Sequence, residues 1–435
     1  MCRWIVYIGE DPIMLADLLL KPDHSIVQQV SSRFLPGLFL GEEASTDRHM
    51  SAIVQEYKMI NVHGFGVTWY TKTLTEFDPA VKDMLPAQYR TIAPISTDLA
   101  FKQLCDHTAS TCIMAHIRDA SFPPVVEVNN HPFIFGKYSF MHNGSINGFS
   151  VMRFDVMKKI FELQRIVQDK NYDSSVPGRN YVSSIIGNTD TEHLATLYFA
   201  YLDIIRALGP ELDNPTDALL LALILTIADI HEIQRDHKVG PYTEGSGSET
   251  VGNNLNLCIT DGYEQLVATR WNDAEKGYPH SLYLSLTAGE KLNRKYPSDR
   301  PEPTESEDIE KADILKVKEL VDNYECSKQG CHVIVGSEPS TRYVHDWALL
   351  DPNQVLTIDK KSRLRLINLA KFFQEGREHE FQQYSFTEVI EKIKKSTIPH
   401  RTNRAVHHPG VPTPYTIGDL PKFKRDAFET QLNLG

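Results

Sequence analysis

Met1-Cys2-Arg3-Trp4-Ile5-Val6-Tyr7-Ile8 places a cysteine directly behind the initiator position and continues as a run of β-branched and aromatic residues. Arg3 to Ile8 has strand composition, so Cys2 is expected at one end of a sheet, on the rigid mount that a nucleophile needs. The basic flank, apolar stretch and small-residue cleavage site of a signal peptide are missing before it. Initiator methionine is usually removed when a small side chain follows, which here would leave a thiol and a free α-amine on one residue. An amino terminus titrates at about 7.7–8.0 and a free thiol at about 8.5. Near neutral pH the amine can therefore take the thiol proton, directly or through a water, which is nucleophile activation by an adjacent base. Taken alone, a cysteine at position two is a chance occurrence, and the rest of the chain has to carry the reading.

Composition narrows the classes. With 435 residues, 41% of them hydrophobic, the chain can bury a large core. A net charge of −12 argues against nucleic acid or an anionic membrane as the main partner, because both select for clustered positive charge. Six cysteines, at positions 2, 105, 112, 258, 326 and 331, are too sparse for a disulfide scaffold and suggest a reducing, cytoplasmic setting. The most apolar run, Ala218 to Ala228, falls well short of the ~20 residues that span a bilayer and reads as a buried helix.

Along the chain, Pro12 to Leu20 reads as a short amphipathic helix, and His63-Gly64-Phe65-Gly66-Val67-Thr68-Trp69-Tyr70 returns to strand composition. Ser96 to Cys105 looks helical, with Ser96, Thr97 and Asp98 available as caps. Thr111 to Ile117 looks like a buried strand that delivers Arg118, which must reach water or meet an anion; alone it reads as a surface ion pair. Phe133 to Met141 alternates like a strand ending in His142-Asn143-Gly144. An Asn-Gly pair ordinarily marks a β-turn, but it can also present a side-chain amide and a backbone N–H together, the two donors an oxyanion needs. Gly187-Asn188-Thr189-Asp190-Thr191-Glu192 opens a helix, where Asp190 can serve as the cap.

A second helix, Ala218 to Ile230, is apolar on nearly every side and should lie between layers. Tyr242 to Asn253 reads as a loop. Asn254 to Thr260, Gln265 to Arg270 and Ser281 to Leu286 suggest an antiparallel meander. Lys291 to Gln329 interrupts with prolines and dense charge, as a solvated insertion would. Strand character resumes at Val333 to Gly336, Gln354 to Ile358 and Arg363 to Ile367, followed by a helix over Phe386 to Lys394 and a tail. Cys326, Cys331 and His332 lack the second ligand pair of a zinc site, no phosphate-cradling glycine loop is present, and no cofactor is called for.

With Cys2, the His116-Ile117-Arg118 strand end, His142-Asn143-Gly144 and Asn188-Thr189-Asp190-Thr191-Glu192 in this order, the sequence resembles the class II glutamine amidotransferases, which are amino-terminal-nucleophile hydrolases. Gly64 to Tyr70, Leu255 to Gly262 with Ala268-Thr269-Arg270, and Val335-Gly336-Ser337-Glu338-Pro339 look like its stand-alone branch. That branch includes the amidotransferase-like subunit of the fungal glutathione-degradation complex and bacterial γ-glutamyl hydrolases. The resemblance covers roughly residues 2–367, excepting the charged insertion at about 291–329 and the stretch after Leu35, and leaves 368–435 as a C-terminal helix and extension.

The resemblance implies a mixed α/β fold, a four-layer α/β/β/α sandwich with antiparallel sheets. It implies that Cys2 attacks a γ-glutamyl carbonyl with its α-amine as base, and that Asn143 and the Gly144 N–H form the oxyanion hole. Arg118 would hold the substrate α-carboxylate, Asp190 the α-ammonium, and Ser121 would add a hydrogen bond where relatives often place threonine. A zwitterionic γ-glutamyl head group independently needs one fixed cation and one fixed anion. His131 and His142 read as structural. No acceptor domain for ammonia is evident, so the expected activity is cleavage of glutathione, or of glutamine, with a metallopeptidase-like partner subunit. The tail beyond Thr397 and the Lys291 to Gln329 insertion are the expected contacts with that subunit. A non-catalytic partner subunit that keeps the fold is the alternative.

Overall fold

Alternation along the first strand decides the architecture: Trp4 and Val6 enter one buried cluster, Ile5 and Tyr7 another. The structure is a computed structural model that describes residues 2–30, 63–120, 124–176, 178, 180–208, 212, 214, 216–239, 252–263, 265–274, 279–296, 315–322, 330–341, 343–359, 363–373 and 386–397. Its strands in chain order are β1 (Arg3–Met14), β2 (Phe65–Thr71), β3 (Leu85–Thr91), β4 (Ala109–Ile117), β5 (Phe133–Phe135), β6 (Tyr138–Ser145) and β7 (Asn254–Thr260). They continue as β8 (Leu266–Arg270), β9 (Tyr283–Ser285), β10 (Leu315–Lys316), β11 (His332–Gly336), β12 (Ala348–Leu349), β13 (Gln354–Ile358) and β14 (Leu364–Asn368). The helices that matter here are α1 (Leu15–Leu19), α2 (Leu99–His107), α3 (Phe149–Asp169), α4 (Asp190–Ala207), α5 (Asp217–Asp236) and α6 (Phe386–Thr397).

An eight-stranded sheet has the order β10-β12-β9-β11-β1-β4-β2-β3, and a six-stranded sheet the order β14-β13-β8-β7-β6-β5. Every pairing is antiparallel except the short β10–β12 contact. Ile5, Tyr7, Ile113 and Ala115 pack under α1 and α2 on one outer face. Trp4, Val6 and Met114 meet Met141, Cys258 and Leu356 between the sheets. On the other outer face, Phe140, Leu257 and Ile259 meet α3, α4 and α5. The result is the four-layer α/β/β/α sandwich expected from the sequence. Helix α5 is apolar all round because it packs against both α3 and α4, burying Leu219 to Leu225.

Several expectations are corrected. Tyr283–Ser285 does not extend a meander after β8: Arg270 pairs with Gln354, so that slot is taken by β13, and β9 crosses to the other sheet to join β11 and β12. The strand at the amino terminus runs through Met14, leaving only Leu15–Leu19 helical. Asn143-Gly144 is not a turn; both residues lie inside β6, opposite Asn256 and Leu255. Helix α2 begins at Leu99 instead of Ser96, and Asp98, one of the three expected caps, fills that place: its carboxylate accepts from the Phe101 N–H at 2.9 Å.

Part of the 291–329 stretch is built into the sandwich: Leu315 pairs with Ala348 at the sheet edge, and Val317 and Leu320 are buried. Phe386, Val389, Ile390 and Ile393 of α6 join the helical-layer core. The loop expected at 242–253 falls almost wholly outside the described residues, as does the tail beyond 397. Among the described residues no helix is long and apolar enough to cross a membrane. Cys2, Cys105, Cys112 and Cys258 are free thiols, whereas Cys331 is disulfide-bonded, which the sparse cysteine count did not suggest.

The start of β1 is held from the β11 side. The Ser337 N–H donates to Trp4 O at 2.9 Å, and the Trp4 N–H donates back to Ser337 Oγ at 3.0 Å. Next to it, the buried Glu338 carboxylate accepts from Arg3 Nε and lies 2.5 Å from His24 Nε2. Burial alone would raise the Glu338 carboxyl, but His24 and Arg3 hold it below the usual range. Breaking such a buried pair costs about 3–5 kcal/mol, because the remaining partner is left uncompensated.

Glu338→Gln is therefore expected to lower the melting temperature strongly at pH 7. Because the folded carboxyl is depressed, its contribution is present above the unfolded value of about 4.3 and fades as pH falls through the lower folded value. The melting gap between wild type and variant should narrow below about pH 4. A gap constant from neutral to acid pH would show that the carboxylate charge does not contribute.

Candidate active site

Strand alternation brings the site together. Trp4 and Val6 face the space between the sheets, so Cys2, two residues earlier, continues that face. On β4 the same face carries Met114 and His116 and leads to Arg118; on β6 it carries Ser139 and Met141 and leads to Asn143. Pairing of Arg3 with Ile117 sets Cys2 beside Arg118. The Asp119 N–H donates to Cys2 Sγ at 3.2 Å, and Trp4 Nε1 donates across the sandwich to Asn256 O at 3.0 Å. Asn256 pairs with Asn143. Cys2, Arg118, Asn143 and Gly144 thus share one end of the inter-sheet space.

Asp190 is brought to the same end by α4. It is not the helix cap: Thr189 Oγ1 accepts from the Glu192 N–H at 3.2 Å in that role. The Asp190 carboxylate instead accepts from the Thr191 N–H at 2.8 Å and, just beyond β6, from the Ile146 N–H at 2.9 Å. Arg118 is buried, and its guanidinium donates to Pro124 O at 3.1 Å. Burial lowers its pKa, while the charges of Cys2 and Asp190 oppose that shift, as expected of a cation placed between them. Ser121 lies outside the described residues.

Two features mark Asn143-Gly144. The Asn143 side chain is 1% exposed, yet its Nδ2 has no hydrogen-bond partner, a state that costs about 1–3 kcal/mol. Gly144 has φ +153°, and a Cβ there would lie 1.8 Å from the Asn254 backbone oxygen, so only glycine fits.

Behind this strand stands a histidine cluster. His116 Nε2 is 3.0 Å from His142 O and 3.1 Å from His131 Nδ1. His142 Nε2 is 2.8 Å from Asn254 O, so the network assigns the proton there, leaving Nδ1 to accept from the Thr191 hydroxyl at 2.9 Å. Burial lowers all three, His116 to about 3, and keeps them neutral at physiological pH. His142 thereby ties the Asn143 strand to the helix that carries Asp190.

Burial also pushes the Cys2 thiol up, partly offset by the Asp119 N–H, the positive charge of the amino terminus and Arg118. A thiol raised in this way needs a base to take its proton during attack.

Four neighbours were not singled out from the sequence. Asp119 supplies the N–H on Cys2, and His63 Nδ1 is 3.2 Å from its carboxylate and accepts from the Ala120 N–H at 3.1 Å. Asn256 and His280 lie on the opposite side. Only Asn256 had a signal: its spacing from the apolar Cys258 put it on the inward face.

No family model matches the chain. It is 25% identical over 381 residues to the probable glutamine amidotransferase DUG3 of Saccharomyces cerevisiae, covering 86% of each chain. Among solved structures, a glutamine aminotransferase class-II domain protein from Silicibacter pomeroyi aligns with a TM-score of 0.44 and 18% identity, covering 85% of this chain and 99% of that one.

The orphaned Asn143 donor generates a prediction with two readouts. Asn143→Ala removes a buried unpaired group, so the melting temperature should hold or rise. If that donor instead meets a developing oxyanion, turnover should fall by about 10²–10³ with KM nearly unchanged. A variant that melts well below wild type, or suffers only in KM, would make Asn143 a structural or binding residue.

Proposed function

We propose that this class II glutamine amidotransferase uses Cys2 as an amino-terminal nucleophile to cleave the γ-glutamyl amide bond of glutathione, releasing glutamate and cysteinylglycine. The observation that carries the reading is the buried, unpartnered Asn143 amide beside a glycine-only position, at the same end of the sandwich as Cys2, Arg118 and Asp190. A preorganised donor without a partner is what a transition-state oxyanion requires.

In this mechanism the Cys2 sulfur attacks the γ-carbonyl carbon while the thiol proton passes to the α-amine exposed by loss of Met1. Asn143 Nδ2 and the Gly144 N–H receive the oxyanion. Collapse breaks the C–N bond, the leaving amine takes the proton, and a γ-glutamyl thioester remains on Cys2. Water, deprotonated by the same amine, releases glutamate and restores the thiol. Arg118 grips the α-carboxylate through its planar fork and Asp190 the α-ammonium; Ser121 adds a contact to the head group.

All of these groups address the glutamyl half, which glutamine and glutathione share. The reading takes the reaction as hydrolysis, by the chain itself or with a metallopeptidase-like partner subunit. Glutamine is the second reading, favoured by the name of the yeast relative. A cytoplasmic setting belongs to this reading: among the described residues Cys2, Cys105, Cys112 and Cys258 are free thiols, although Cys331 is disulfide-bonded.

Arg118→Lys keeps the charge but loses the bidentate fork, and kcat/KM should fall at least ~10-fold. Unchanged activity would remove Arg118 from the site. The substrate is decided by offering glutamine and glutathione side by side to the chain alone and to the chain with a peptidase-like partner. The expected outcome is weak activity alone and cysteinylglycine release with the partner. Ammonia from glutamine as the only product in both cases would rule out glutathione.

A further inference from the structure

Asn256 lies beside Asn143 and has no role in the mechanism above. We infer that its side-chain carbonyl accepts a hydrogen bond from the α-amine of Cys2, making Asn256 a positioning residue for the general base. The inference rests on the amino-terminal-nucleophile reading and adds to it the group that orients the base.

The orientation of the carboxamide follows from its surroundings. Asn256 Nδ2 donates to His280 O at 2.8 Å and to Ser281 O at 3.2 Å. Turned over, the group would set its oxygen against two carbonyls, so Oδ1 must face the other way. That oxygen is buried, on a residue 0% exposed, and has no partner. A buried acceptor left unpaired in this way calls for an N–H.

The strand edge indicates which N–H. Both backbone groups of Trp4 pair with Ser337. Backbone groups two residues apart on a strand point to the same neighbour, so the nitrogen of Cys2 emerges on that same edge. Ser281 Oγ donates to Ser337 O at 2.8 Å, which brings His280 and Ser281 to this edge, and Asn256 is fastened to both of them. The indole of Trp4, two residues beyond Cys2, donates to the backbone oxygen of Asn256. These contacts bring Asn256 to the strand edge on which the Cys2 nitrogen emerges, with its unpartnered Oδ1 free to accept from an amine there.

The chemistry of the acceptor fits the task. A neutral carbonyl fixes the direction of the amine lone pair without holding the amine as ammonium, whereas a carboxylate would favour the charged form that cannot act as base. The charged and titratable groups acting on the Cys2 thiol are Asp119, which pairs with His63, and Arg118; those acting on His280 include His142, Arg270 and Arg3, which pairs with Glu338.

The test uses the full-length enzyme with Asn256→Ala and Asn256→Asp, and Cys2→Ala as reference. Asn256→Ala should lower kcat at least ~10-fold with KM held within about 3-fold, since the base is misaligned and the substrate contacts remain. Asn256→Asp should move the acid limb of the pH–kcat/KM profile up by about one unit, because the carboxylate stabilises the ammonium. Variants that keep the wild-type kcat and acid limb, beside an inactive Cys2→Ala, would overturn the role of Asn256 alone; an active Cys2→Ala would instead remove the nucleophile reading. Should the variants fail to fold, a structure of the mature wild type decides. An amine within about 3.2 Å of Asn256 Oδ1 supports the role, and an amine held by another acceptor ends it.

Discussion

The attachment of β1 to its neighbours is the constraint on which the site depends. Cys2 stands at the end of that strand, and a flexible end would spread its sulfur over more than the fraction of an ångström that the proposed acyl transfer tolerates. The chain meets this demand with Ser337 bonded to both backbone groups of Trp4, a buried charge group of Arg3, Glu338 and His24, and the Trp4 indole pinned across the sandwich to Asn256. Buried ion pairs seldom add net stability over apolar packing. Their use at residue 3 is better understood as fixing geometry at residue 2.

Electrostatics and burial then divide the work. Closing the inter-sheet space raises the Cys2 thiol and depresses the histidines behind it, so neither a free thiolate nor an imidazolium is at hand at neutral pH. In the proposed function Arg118 and Asp190, at the same end of the sandwich, meet the two charges of a zwitterionic head group. Asn143 and Asn256 add a donor and an acceptor on neighbouring strands, both buried and both without a partner.

Much of this was legible in the sequence because it follows from local pattern. The β-branched and aromatic composition of Arg3 to Ile8 and the apolar stretch Ala218 to Ile230 point to a strand and a buried helix without tertiary information, and both elements are present. What could not be read depends on partners distant in sequence. Asn143-Gly144 has the composition of a turn and becomes strand only because β7 pairs with it. Tyr283 to Ser285 looks like the next strand of a meander but is displaced by β13, a strand some seventy residues later in the chain. Asp190 was open to reading as a cap until Thr189 was seen to fill that place. His280 carries no local mark in the sequence, and for Asn256 the spacing from Cys258 gives only its face, since the partners that each meets are set by the fold.

The central claim is that an amino-terminal Cys2 carries the acyl group. It is tested most directly by mass spectrometry of the purified chain after reaction with an electrophilic glutamine analogue. The account predicts a chain lacking Met1 with one adduct, mapped to Cys2, and activity lost in step with labelling. Retained Met1 in active enzyme, or an adduct elsewhere while Cys2 stays free, would contradict it.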